Sequence, residues 1–82
     1  VTLIAPATAE EVAAALRRLW LWPRLDGYRG RPRADTGAAV AVALAVQGLM
    51  AASRRFVEIE VNPLMLRAAG AVGVDALIRV ED

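Results

Sequence analysis

Cysteine, lysine and histidine are all missing from these 82 residues, and aromatics make up only 5% of them. The lack of cysteine removes disulfides, thiolate metal sites and thiol nucleophiles, and fits a cytoplasmic protein. With no lysine and no Gly-rich phosphate-cradling loop, these residues cannot supply the usual grip on nucleotide phosphates. Neither sign of charge dominates. Ten arginines against nine carboxylates leave a net charge of +1, too weak a field to argue for nucleic acid or a membrane surface as a partner. A free-standing Arg-rich nucleic-acid binder would show steeply salt-dependent binding, and the charge balance speaks against it. No secretory leader is visible, because the apolar start from Val1 to Pro6 is short and lacks both a basic leader and a following apolar core. The uncharged run from Thr36 to Ser53 contains Gly37, Gln47 and Gly48. It lies at the lower edge of the roughly 17 to 25 residues that span a bilayer, and a helix buried on several sides is the better account of it.

What the chain does have is apolar residues, at 57%. A chain this short forms one unit at most, in a size range where a single core gives marginal stability. The excess implies apolar surface to be covered by another domain, a partner subunit or a second copy in a homo-oligomer. Residues 1–5 fit a short strand ended by Pro6. Thr8 and Glu11 have the spacing of a capping box, and the helix they start places Val12, Ala15, Leu16 and Leu19 on one stripe. Pro23 disfavours helical backbone at Trp22, so this helix is expected to stop by about Leu21. Asp35 is the expected N-cap of a second helix, which Gly48 weakens or ends before Arg54 and Arg55. The order is strand, helix, loop, helix, hairpin. The predicted class is α+β, with two helices packed on a small, mainly antiparallel sheet and a C-terminal β-hairpin.

The hairpin is the most informative part. Val57, Ile59 and Val61 alternate with polar residues, as do Val72, Val74, Ala76, Ile78 and Val80, the period of strands with one buried face. Both apolar sets share a face only when odd positions of the first strand pair with even positions of the second. A turn centred between Ala68 and Ala69 sets Asn62 opposite Asp75 and Glu58 opposite Arg79. Directly opposed side chains on one face have Cβ atoms roughly 4.5 to 5.5 Å apart, within reach of one shared hard cation, and oxygen donors of this kind suit magnesium. Pattern alone leaves a second account open: a plain amphipathic hairpin whose Glu, Asp and Arg are solvated, with Asn62-Pro63 as a strand exit.

The loop Asp26 to Arg33 carries Arg29, Arg31 and Arg33 close to Arg24, and its glycines permit unusual backbone angles. Such a cluster can hold phosphate by bidentate contacts, or Arg29 can brace the loop against Asp26 or Asp35. Trp20 and Trp22 are expected to pack in or near the core or to cover a domain interface.

The block Leu25-Asp26-Gly27-Tyr28-Arg29-Gly30-Arg31-Pro32, an Asp-started helix, Glu60-Val61-Asn62-Pro63-Leu64 and Val74-Asp75-Ala76 follow in order. Together they resemble the C-terminal part of the ATP-grasp domain of NDP-forming acyl-CoA synthetases. That family includes the ADP-forming acetyl-CoA synthetases and is related to the succinyl-CoA synthetase β subunit. The resemblance covers essentially all of residues 1–82, which it implies are a single C-terminal ATP-grasp subdomain fragment. It also implies that Asn62 and Asp75 hold the Mg2+ of bound ATP or ADP, with Glu60 beside them and Arg29 as a further cofactor-binding residue. The implied partners are the CoA-binding and phosphohistidine-bearing domains or subunit of the same synthetase. The implied reaction joins an acid to CoA at the expense of ATP, through phosphohistidine and acyl-phosphate intermediates. A whole domain of this family is longer than this chain, and its nucleotide lysines and phosphoacceptor histidine have no counterpart here, so the isolated chain is expected to be inactive. The alternative parent is a bacterial protein acetyltransferase carrying a regulatory synthetase-like domain without ligase activity.

Overall fold

The computed structural model describes residues 3–81. Helix α1 (Ala9–Arg17) is started by the expected capping box: the Glu11 amide donates to Thr8 Oγ1 at 3.1 Å, and the Thr8 amide donates to Glu11 Oε1 at 3.1 Å. Two of the orphan donors at the helix start are thereby satisfied. Glu10 and Glu11 in the first turn and Arg17 in the last suit the helix dipole. Val12 and Ala15 are buried, with Leu16 and Leu19 half-buried beside them, so the predicted stripe is the packed one.

Beyond Arg17 the chain does not simply become loop. The amides of Arg18, Leu19, Trp22 and Arg24 each reach back three residues, to Ala15, Leu16, Leu19 and Leu21. Pro23 then sits in the first turn of a short helix α2 (Trp22–Leu25). The first helix is over before Leu21, as expected, but Trp22 is helical against expectation: a residue without an N–H is tolerated where no intrahelical acceptor awaits it, and its fixed φ favours a start. A 3₁₀ turn follows at Tyr28–Gly30.

Helix α3 (Thr36–Ala52) is capped by Asp35 and runs through Gly48 without a break. It packs against α1 on one side and against β1 (Phe56–Val61) and β2 (Leu64–Leu66) on the other, which is why its sequence is apolar most of the way round. Among the described residues no helix is long and apolar enough to cross a membrane. The helices and the sheet make an α+β fold, as expected, with α3 the helix that packs most on both α1 and the strands. Strands β3 (Ala71–Gly73) and β4 (Ala76–Val80) complete an antiparallel hairpin in which β1 pairs with β4 and β2 with β3. Glu58 lies opposite Arg79 and Ile59 opposite Ile78, the predicted register, with a bulge between Phe56 and Glu58. Leu3 to Ala5 form no strand, and the first two residues of that expected strand lie outside the described ones.

The core is small. Among the described residues only Ala7, Val12, Ala15 and Ala39 are buried apolar residues, and no side chain is fully enclosed. Trp20 is 85% exposed and Ile78 58%, so Trp20 is not a core residue, while Trp22 is half-buried. The molecule measures 49 × 24 × 19 Å, and its radius of gyration of 13.8 Å exceeds the roughly 12 Å of a compact domain this long.

One polar device joins the N-terminal segment to α3. Gln47 accepts from the Ala7 amide through Oε1 at 2.7 Å and donates to the Ala7 carbonyl through Nε2 at 3.1 Å. Gln47→Ala should cost about 1 to 3 kcal/mol by leaving both Ala7 groups without these partners, measured as a lower urea midpoint at unchanged slope. Gly73 faces Val61, whose Cγ1 would lie 2.9 Å from an added Cβ. Val61 is stiff at χ1, so Gly73→Ala should destabilise by about 1 to 3 kcal/mol, and a compensating Val61→Ala should recover part of that in a double-mutant cycle.

Candidate functional site

The hairpin is interrupted between its two ladders. Pro63 has no N–H to give, and the strand regularity lapses at residues 62–63 and 74–75. Two backbone bonds carry the register through: the Asn62 amide donates to the Asp75 carbonyl at 3.0 Å, and the Val74 amide to the Pro63 carbonyl at 3.0 Å. Asn62 therefore stands opposite Asp75, as the sequence predicts. The Asn62–Pro63 peptide is cis.

On the polar face, Glu60, Asn62 and Asp75 line one open depression of about 170 Å³ with Ala76 and Leu77. Asn62 Nδ2 donates to Glu60 Oε1 at 3.3 Å, and Asp75 Oδ1 accepts from the Ala76 amide at 2.9 Å. The first bond turns the nitrogen side of the amide toward Glu60 and leaves Oδ1 on the other side. The second fixes one Asp75 oxygen on the backbone and leaves Oδ2 for another partner. The lining thus offers two carboxylates and one amide, with no cationic side chain among them. Glu60 and Asp75 are diagonal neighbours on the face, a spacing of roughly 7 to 8 Å. A hard cation favours such an all-oxygen set, and the paired negative charges gain from one.

Arg29 does not line this depression. It lies in the 3₁₀ turn with φ of +53°, between Gly27 and Gly30, which also have positive φ. The two glycines are thus used for left-handed backbone, and Arg29 shares a conformation uncommon for a non-glycine residue. Arg33 braces Asp26, through Nε at 2.8 Å and Nη2 at 2.5 Å, on one carboxylate oxygen. Both partners are exposed, so the pair orders the loop more than it stabilises the fold.

The profile of the ATP-grasp domain matches residues 1–80. The chain belongs to the ATP-grasp family. A trans-feruloyl-CoA synthase from an unknown prokaryotic organism is 36% identical over 80 residues, covering 90% of this chain and 11% of that protein. An acetyl-coenzyme A synthetase of "Ca. Korarchaeum cryptofilum", solved with coenzyme A and Mg-AMPPCP, superposes with a TM-score of 0.83 at 24% identity, over 96% of this chain and 37% of its own. PH1788 from Pyrococcus horikoshii Ot3 gives a TM-score of 0.83 at 26% identity, over 96% and 34%. The expected ATP-grasp domain of acyl-CoA synthetase type is thus what the chain resembles in sequence and in fold, and the chain spans about a tenth of the curated relative and about a third of each solved one.

Within this ATP-grasp segment, Asp35 does more than the helix cap read from sequence. Its Oδ1 accepts from the Ala38 amide at 2.9 Å and its Oδ2 from the Gly70 amide at 2.7 Å, while its own amide donates to the Arg67 carbonyl at 2.6 Å. One residue ties the start of α3 to the β2–β3 turn, 35 positions away, and so fixes the helix against the hairpin that carries Asn62 and Asp75. The amides of Gly70 first and Ala38 second hold its carboxyl below the ordinary value of 3.8, against a smaller opposing effect of burial. A lowered folded pKa means stabilisation that is complete above 3.8 and lost as pH falls below it through the folded value. Asp35→Asn should therefore lower the melting temperature at neutral pH, and the gap to wild type should narrow as the pH is taken below 3.8, as followed by thermal melts across an acid series.

Proposed function

We propose that this chain is part of an NDP-forming acyl-CoA synthetase, in which Asn62 and Asp75, with Glu60 beside them, hold the Mg2+ of bound ATP or ADP. The supporting observation is the convergence of three oxygen-bearing side chains on one depression of an ATP-grasp hairpin. Asn62 Oδ1 and Asp75 Oδ2 are the ligand atoms best left over by the hydrogen bonds already made, and Glu60 orients the Asn62 amide through Nδ2. The bound cation would neutralise phosphate oxygens as charge grows on them during phosphoryl transfer. The protein's own part is positioning: the two ladder bonds at Asn62 and Val74 keep the carboxamide and the carboxylate side by side, and Asp35 holds the hairpin to α3. Arg29 is assigned to the cofactor's phosphates as a cation supplied by the loop, outside the metal cluster. An acetyl-CoA synthetase that carries a phosphohistidine segment and Mg-AMPPCP shares this fold, which supports the same division of labour here: these residues hold the metal, while CoA and the phosphoacceptor histidine come from other parts of the protein.

In the full-length protein, Asn62→Ala and Asp75→Ala should each slow phosphorylation of its own histidine by ATP roughly 100-fold or more, the scale on which losing one charge-stabilising group slows a reaction. Circular dichroism should be unchanged. Wild-type phosphorylation rates in both variants would remove the metal assignment.

A further inference from the structure

The turn after α1 combines an aromatic side chain in solvent with one sign of charge. From Arg17 to Leu25 the chain reads Arg-Arg-Leu-Trp-Leu-Trp-Pro-Arg-Leu, with three arginines and no carboxylate. The successive three-residue back-bonds described above wind this stretch tightly. Arg18 lies two positions before Trp20 and Arg24 four after it. Arg17, Arg18 and Arg24 are all exposed, and Trp20 is 85% exposed with Leu21 beside it. The nearest carboxylate in sequence, Asp26, is taken by Arg33. At the base of the knuckle, Leu16, Arg17, Trp22, Thr36 and Val40 line a recess of about 130 Å³, space for an aliphatic side chain.

Trp and Arg are the residues that most often anchor protein interfaces, the first by the area it buries and the second by bidentate contact with carboxylates. An exposed indole on a stretch whose exposed charged residues are all arginines fits an apolar pocket with an acidic rim. We propose that this knuckle is a docking surface for an acidic protein surface of that shape, carried by the part of the synthetase polypeptide outside residues 1–82. The occupant rests on the reading above that the chain belongs to a longer synthetase, as the 11% and 37% coverage of its relatives suggests. Charge complementarity selects protein over nucleic acid: three arginines and a tryptophan within one short stretch suit an acidic pocket rim, whereas the +1 of residues 1–82 gives no extended phosphate track.

The test uses the full-length protein. A photo-crosslinking benzophenone amino acid replaces Trp20, and the crosslinked peptides are identified by mass spectrometry. The expected product joins position 20 to a segment of the same polypeptide rich in Asp and Glu. Arg18→Glu with Arg24→Glu should cut its yield about tenfold. In the wild-type protein, hydroxyl-radical footprinting should show Trp20 protected several-fold relative to a solvent-exposed tryptophan. Crosslinks to nucleic acid or lipid, a yield indifferent to the charge reversals, or a fully reactive Trp20 would each overturn the proposal. These readouts do not depend on catalysis. A protected Trp20 in a protein whose Asn62→Ala variant phosphorylates normally would leave the docking surface standing and the metal assignment lost.

Discussion

The continuity of one antiparallel register across a break in its own ladder underlies the candidate site. Asn62-Pro63 on one side and Val74-Asp75 on the other are the irregular points of the hairpin, and the same points carry two of the three oxygen donors. Proline cannot donate, so regular pairing lapses there; its carbonyl still accepts, and the Asn62 amide still donates. These two bonds decide whether the carboxamide and the carboxylate end on one face or are displaced by a residue, which in a sheet means opposite faces. The lapse releases the strand from regular pairing at the candidate site, and the flanking ladders limit how far it can drift.

Asp35 extends that constraint into the helical layer. Apolar contacts between α3 and the hairpin are weakly directional, and Asp35 adds directed bonds to them. With it, the first turn of the helix, the β2–β3 turn and the chain arriving from the Arg-rich loop converge on one carboxylate and one amide. Gln47 does comparable work at the other end of α3, where it holds the segment leading into α1.

The hairpin register was legible because two signals agree: the period-2 alternation on both strands and the turn ending in Gly70 admit the same pairing. The capping box of α1, the Asp35 cap and the apolar stripe of α1 were equally local and equally legible. What escaped was long-range. The second acceptor role of Asp35 depends on Gly70, and the bonds of Gln47 on Ala7, 40 positions away; neither pairing leaves a periodic trace. Pro23 was ambiguous because the same missing N–H that ends one helix suits the start of the next. For Trp20 the sequence left core and interface open, and its exposure removes the core. In the site, Glu60, Asn62 and Asp75 came together because they share a strand face. Arg29 did not join them, since a loop arginine has no register to place it.

The alanine-rich interior has a consequence for how such a segment comes into being. Ala7, Ala15 and Ala39 let backbones approach closely, but each withdraws little hydrocarbon from water, whereas the large aliphatic groups of the hairpin remain uncovered. Burial scales with apolar area, so these residues draw little driving force from contacts among themselves. On their own, these residues are therefore marginal in stability and open readily, which exposes them to chaperones and proteases.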